Sequence, residues 1–124
     1  MNKTGERGAV GEDFTVSRLK ARGYQILARN YHTCYGEIDI IAATARYIVF
    51  VEVKTRMASS GVAPEEAVTL TKQKRLLKTA LLYLQKYPSP LQPRFDVAGV
   101  LLGEGNQVVE FRYTANAFEG EGFL

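Results

Sequence analysis

The sequence predicts an α/β domain in which helices flank a mixed central sheet, with elements in the order α-β-β-β-α-β-β. Three observations carry that expectation. Two β-branched runs, residues 37–42 and 47–54, are joined by only Ala43 to Arg46, the pattern of a hairpin. A helical period then runs to Tyr87, where Pro88 stops it. The almost wholly apolar run from Arg94 to Leu102 comes next, so strand, helix and strand form a crossover that pairs its strands in parallel.

Composition narrows the class. At 124 residues the chain is expected to form one domain, 1–124, with a core of its own and a flexible tail from about residue 114. Its composition, 46% hydrophobic and 23% charged, excludes a disordered chain. No apolar run approaches the ~20 residues that span a bilayer, and the polar start M-N-K-T-G-E-R leads into no signal-peptide core. We therefore expect a cytoplasmic protein with no membrane partner. The lone Cys34, with only His32 beside it, offers no zinc or iron–sulfur set, so any metal must be held by oxygen. Charge is regional: from Lys54 to Arg94 eight Lys/Arg face two acids, a net of +6, while the chain from Glu104 onward carries four acids and one Arg.

The first helix is expected over about 5–22, with Thr4 as N-cap and Gly23 as a left-handed C-terminal cap. At 100° per residue, Ala9, Glu12, Val16 and Leu19 share one face, and Val10, Phe14 and Ala21 the opposite one. The residues alone favour a Glu12 that stays at the surface and stabilises the positive end of the helix dipole. A strand over 24–31 leads to a polar turn with His32 and Gly36. After the hairpin, Thr55 to Ala63 reads as a polar loop able to close over a ligand. Pro64, Glu65 and Glu66 suit the start of a short helix. The longer helix beyond it is expected to bury Leu77, Ala80, Leu81 and Leu84. Its basic residues then project elsewhere. Gly103 to Asn106 turns the chain into a last strand, about 107–113.

Charged residues within apolar strands are where chemistry is expected, because ionised groups are seldom buried without a partner or a task. Asp39 interrupts the second strand, and Glu52 and Lys54 the third. By alternation, Glu52 and Lys54 share a face with Ile48 and Phe50, and Glu37, Asp39 and Ile41 share a face of the second strand. Whether Asp39 meets Glu52 depends on register: pairing Ala43 with Ile48 places them opposite, pairing Ala43 with Arg46 leaves them diagonal, and a slip of one residue separates them. Two facing carboxylates suit Mg²⁺, which prefers hard oxygen ligands, and a lysine two residues on could orient water against a phosphodiester. A salt-bridged Glu52 and Lys54 at a strand end, with Asp39 capping a turn, fits the spacing equally well.

The spacing of Asp39 and Glu52-Val53-Lys54 resembles the PD-(D/E)xK nuclease signature. More fully, G-E at 11–12, Gly23-Tyr24, Asn30, G-E-I-D-I-I at 36–41, V-F-V-E-V-K-T-R at 49–56, Lys72 and R-F-D-V at 94–97 resemble the YraN-like family of bacterial proteins. The resemblance implies a restriction-endonuclease-like fold related to archaeal Holliday-junction resolvases, with Glu12 joining Asp39, Glu52 and Lys54. It departs from the signature's name in that Asp39 follows Ile38 rather than proline, and Phe14 stands where small residues are common.

The expected activity is that of a Mg²⁺- or Mn²⁺-dependent endodeoxyribonuclease acting on structured or branched DNA. Asp39, Glu52 and the Val53 carbonyl hold the metal, Glu12 supports metal or water, and Lys54 orients the nucleophile. Arg56, Lys72, Lys74, Arg75 and Lys78 contact phosphates, and resolvase-like relatives imply a homodimer. Glu37 and Asp96 have no assigned role. The alternative is a non-catalytic DNA-binding accessory in repair, recombination or uptake. A third reading, a module that docks on another protein, rests on the aromatic tail with Phe118 and Phe123.

Overall fold

In the computed structural model, residues 5–63 and 68–118 are described. Seven elements occur in the expected order: α1 (Glu6–Ala21), β1 (Gln25–Thr33), β2 (Gly36–Ala43), β3 (Tyr47–Met57), α2 (Leu70–Lys86), β4 (Gln92–Leu102) and β5 (Val108–Phe118). The five strands form one sheet in the order β1-β2-β3-β4-β5. All neighbours are antiparallel except β3 and β4, which run parallel across the α2 crossover.

Side-chain alternation on β3 sorts the two helices onto opposite faces. Val49, Val51 and Val53 pack with Val16 and Leu19 of α1, and Ile48 and Phe50 pack with Leu76, Ala80 and Tyr83 of α2. Each large aliphatic side chain so buried stabilises the fold by roughly 1.5–3 kcal/mol. The buried stripe of α2 is Leu76, Thr79, Ala80 and Tyr83, rotated from the expected one, and Leu81 is exposed. Tyr83 decides the rotation: its ring meets Tyr31 and Phe50 edge-on, at centroid distances of 5.0 and 6.1 Å, so the helix turns its aromatic side inward.

Helix ends follow local chemistry. Gly23, at φ 88°, caps α1, its N–H donating to Lys20 and that of Tyr24 to Leu19, the paired bonds of a Schellman ending. The N-cap of α1 is Gly5, and Thr4 lies outside the described residues. Thr69 caps α2, its side chain accepting from the Lys72 amide. The β2–β3 turn lacks Gly, Asn and Asp because Thr44 performs their role: its Oγ1 accepts from the amides of Arg46 (3.2 Å) and Tyr47 (2.9 Å).

Several boundaries shift. His32 and Thr33 belong to β1, not to the turn. The expected loop after residue 54 begins later, because Thr55, Arg56 and Met57 continue β3 in parallel pairing with Val100, Leu101 and Leu102. Strand β5 also outlasts its expected end at 113, and Phe118 stacks on Phe95 at 5.1 Å, so residues 114–118 are sheet. Pro64, Glu65, Glu66 and Phe123 lie outside the described residues. No helix among the described residues is long and apolar enough to cross a membrane.

Helix α1 approaches β3 through glycine. A Cβ added at Gly11 would sit 2.0 Å from Thr55 Oγ1, a distance no packed pair tolerates. Gly11→Ala is therefore expected to destabilise the protein by about 1–3 kcal/mol through overpacking, despite the ~1 kcal/mol that alanine returns in helix propensity. Adding Thr55→Ala should recover most of the loss in a denaturant titration. A Gly11→Ala protein as stable as the parent would show that α1 can shift at no cost.

Candidate acidic and lysine site

Register brings the predicted residues together. Strands β2 and β3 pair Ala43 with Ile48 and continue to Ile40 with Val51, the register that places Asp39 opposite Glu52. Beyond Ile40 the side chain of Asp39 takes over from the ladder: its Oδ2 accepts the Val53 amide at 2.7 Å. In an extended strand the N–H and C=O of one residue face the same neighbour, so the Val53 carbonyl also points to the β2 side.

Alternation on β2 breaks at this point. Ile38 and Ile41 both pack on the α2 side while Ile40 packs on the α1 side, so Glu37, Asp39 and Ile41 do not share one face as strict period-2 reading requires. The cause lies across the ladder. Arg29 pairs with Ile40 and Tyr31 with Ile38, leaving Asn30 opposite Asp39, and Asn30 adopts φ 49°. Asparagine tolerates this left-handed conformation better than most residues. It kinks β1, β2 follows, and Asp39 is turned toward β3. An asparagine inside a β-rich run was the signal available in the sequence.

Burial marks the site. Glu12, Asp39, Glu52 and Lys54 are 2%, 0%, 2% and 7% exposed. Lys54 Nζ lies 3.1 Å from Glu52 Oε2, and Lys72 Nζ reaches the same oxygen from α2 at 3.4 Å. Two cations on one buried carboxylate offset its desolvation. Glu12 is not at the surface, as the residues alone favour, but is buried with Val16 and Leu19, on the face where helix periodicity groups them. Its neighbour Gly11 packs on Thr55, next to Lys54, and Arg29, the β1 partner of Ile40 beside Asp39, stands 4.0 Å from Glu12 Oε1 while bonding Asp13 at 2.7 Å. Both contacts hold α1 over the end of the β2–β3 pair where the acids lie. Phe14 points away, its ring edge-on to Phe111 of β5 at 5.3 Å.

The five basic residues expected on phosphates divide. Lys72 belongs to the acidic site. Arg56 lies on β3 two residues past Lys54, its Nη1 donating to the Thr55 carbonyl. Lys74, Arg75 and Lys78 border a separate concavity at the β1–β2 turn. Glu37 Oε2 stands 3.5 Å from His32 Nε2.

Asp96 serves structure. Arg94 grips it with two hydrogen bonds, Nε to Oδ1 at 3.0 Å and Nη2 to Oδ2 at 2.9 Å, while the Tyr113 hydroxyl and the Asn116 amide of β5 donate to the same carboxylate. Arg94 also donates to the Tyr24 hydroxyl, tying the end of α1 to β4. Burial first, then the adjacent Asp96 carboxylate, push the Tyr113 phenol well above the ordinary tyrosine range. A phenol raised on folding contributes stability that is complete below the unfolded tyrosine value, near 10, and is lost as pH rises further. An alkaline spectrophotometric titration is therefore expected to show Tyr113 protonated until the protein unfolds; Tyr113→Phe should remove that component.

The donor set at Asp39, Glu52 and the Val53 carbonyl is all oxygen, the chemistry a hard divalent cation prefers. Among the described residues no three His, Cys, Asp or Glu side chains converge as a ready metal cluster.

Fold and site define a class: a mixed α/β protein with a five-stranded sheet between helices and a buried carboxylate–lysine cluster beside its central strand. The chain belongs to the uncharacterised protein family UPF0102, whose model matches residues 11–100, the YraN-like family that the motifs resemble. Relatives bearing that family name include proteins from Dictyoglomus thermophilum, 43% identical over 91% of this chain and 97% of theirs, and Caldicellulosiruptor saccharolyticus, 43% identical over 95% and 100%. A third, from Lachnoclostridium phytofermentans, is 45% identical over 98% and 99%.

Proposed function

We propose that the protein is a metal-dependent endodeoxyribonuclease of restriction-endonuclease-like architecture, acting on structured or branched DNA. One observation carries the reading: Lys54 and two carboxylates are buried together, Glu52 bound to Lys54 and Asp39 bound to the Val53 amide between them. Burying these charges is costly. A stability role alone would be filled as well by apolar residues, whereas phosphodiester hydrolysis needs oxygen ligands and a cation at one point.

In this reading Asp39, Glu52 and the Val53 carbonyl hold Mg²⁺ or Mn²⁺, which supplies electrostatic stabilisation of charge developing on the phosphoryl oxygens. Lys54, whose Nζ stands 3.1 Å from Glu52 Oε2, would hold the attacking water and face the phosphate. Lys72, 37% exposed along its side chain, turns to the DNA backbone, and Glu12 accepts a hydrogen bond from water in the site. Cutting two strands of a branch calls for two such sites and hence a homodimer.

The test is a panel of linear, flap and four-way DNA substrates with Mg²⁺, Mn²⁺ or chelator, run beside Asp39→Asn. Cleavage of a branched substrate that needs the metal and Asp39 supports the proposal. Salt-sensitive binding without cleavage anywhere in the panel would replace it with a DNA-binding accessory role.

A further inference from the structure

The turn between β1 and β2 lies beside the basic face of α2, and the two border an open concavity of about 550 Å³. Thr33, Tyr35, Thr71, Lys74, Arg75 and Lys78 line it, and among the described residues no acidic one does. All three cations are exposed. Tyr35 is 45% exposed, an unusual position for an aromatic ring with no core to fill, and Lys78 Nζ stands 5.2 Å from its centroid.

The arrangement is built. Thr33 Oγ1 meets Thr79 Oγ1 of α2 at 3.1 Å, and Thr79 in turn donates to the Arg75 carbonyl. Thr33 Oγ1 also accepts the Tyr35 amide at 3.1 Å, fixing the turn that carries the ring. Gly36, at φ 146°, takes a backbone conformation that side-chain-bearing residues rarely adopt, and the turn there lies within ordinary packing distance of Arg75 Cβ. Ring and cations are therefore held beside one another before any ligand arrives, which lowers the ordering cost of binding.

We infer that this concavity is a cradle for single-stranded nucleic acid, in which Lys74, Arg75 and Lys78 meet phosphates and an unstacked base lies against Tyr35. Charge complementarity selects a polyanion. The exposed ring selects an unpaired base over a duplex, whose bases are stacked on one another and out of reach. The cradle lies three residues along β2 from Asp39, roughly 10 Å at ~3.3 Å per residue, about three base steps of a strand at 3.4 Å each. The assignment rests on the nucleic-acid reading of the acidic site, though not on catalysis, and sharpens it: the substrate carries an unpaired segment beside the cleaved bond.

Cys34 lies within the cradle and is the only cysteine of the chain, so occupancy can be read on the unmodified protein. An oligodeoxythymidylate is expected to slow maleimide alkylation of Cys34 in proportion to its binding, and a duplex of equal length to slow it far less. Tyr35→Ala is expected to weaken oligodeoxythymidylate binding roughly 5- to 150-fold, the range for losing one stacked base, with little change in duplex affinity; Tyr35→Phe should retain binding. Lys78→Ala should lower the salt slope by about one. Unprotected Cys34 at saturating oligonucleotide, or equal losses on single strand and duplex in Tyr35→Ala, would overturn the cradle even if the protein cuts branched DNA. Protection without cleavage of any substrate would uphold the cradle and remove the nuclease reading.

Discussion

With the proposed nuclease activity, Glu52→Gln is expected to lower Mg²⁺-dependent cleavage by on the order of 1,000-fold, the several kcal/mol that a correctly held metal contributes to the transition state. Glutamine preserves the volume of a side chain that is 2% exposed but is a poorer ligand than the carboxylate and leaves Lys54 and Lys72 facing a neutral amide, where each had an ion pair at 3.1 and 3.4 Å. Because Lys54 is buried, a loss of stability should accompany the loss of activity. The two are separable: activity is measured well below the melting transition, and Mg²⁺ or Mn²⁺ binding is followed by calorimetry on the same protein. A folded Glu52→Gln protein with undiminished metal binding and cleavage would place the metal elsewhere and sink the site as drawn.

Asp96→Ala is expected to cost about 3–5 kcal/mol of folding stability, the range for removing one member of a buried ion pair, and to lower the melting temperature by roughly 10 °C or more. Asp96 is 1% exposed and accepts from Arg94, Tyr113 and the Asn116 amide at once. Its removal strands the Arg94 guanidinium, only 14% exposed and stacked 4.7 Å from the Tyr47 centroid, and unties β5 from β4. The double change Arg94→Met with Asp96→Leu should recover part of the loss, since an apolar pair of similar volume is often no worse than a buried ion pair. A loss below about 1 kcal/mol in Asp96→Ala, read from denaturant midpoints, would mean that water replaces the carboxylate freely and that the network does not lock the sheet.

Much of the fold was legible because its signals are local. The hairpin over 37–54 follows from β-branched runs, α2 from a helical period stopped at Pro88, and the parallel crossover from a helix lying between two apolar strands. Asp39, Glu52 and Lys54 stood out because they break those same runs. Boundaries were less legible: β3 extends to Met57 and β5 to Phe118 because β4 offers partners for residues whose own propensities are unremarked.

The sequence by itself determined the order of elements, the alternation that divides β3 between two helices, and the presence of three charges inside apolar strands, since each is a matter of spacing along one chain. Only the tertiary structure decided which of the open registers holds, that Glu12 is buried rather than at the surface, and which cations meet Glu52. The physical reason is that these depend on contacts between distant segments: Thr44 sets the hairpin register, Asn30 kinks the ladder so that Asp39 reaches Val53, and Gly11 lets α1 settle on Thr55. A one-residue slip in the first would send Asp39 and Glu52 to opposite faces, with the composition and the helical and strand periods unchanged.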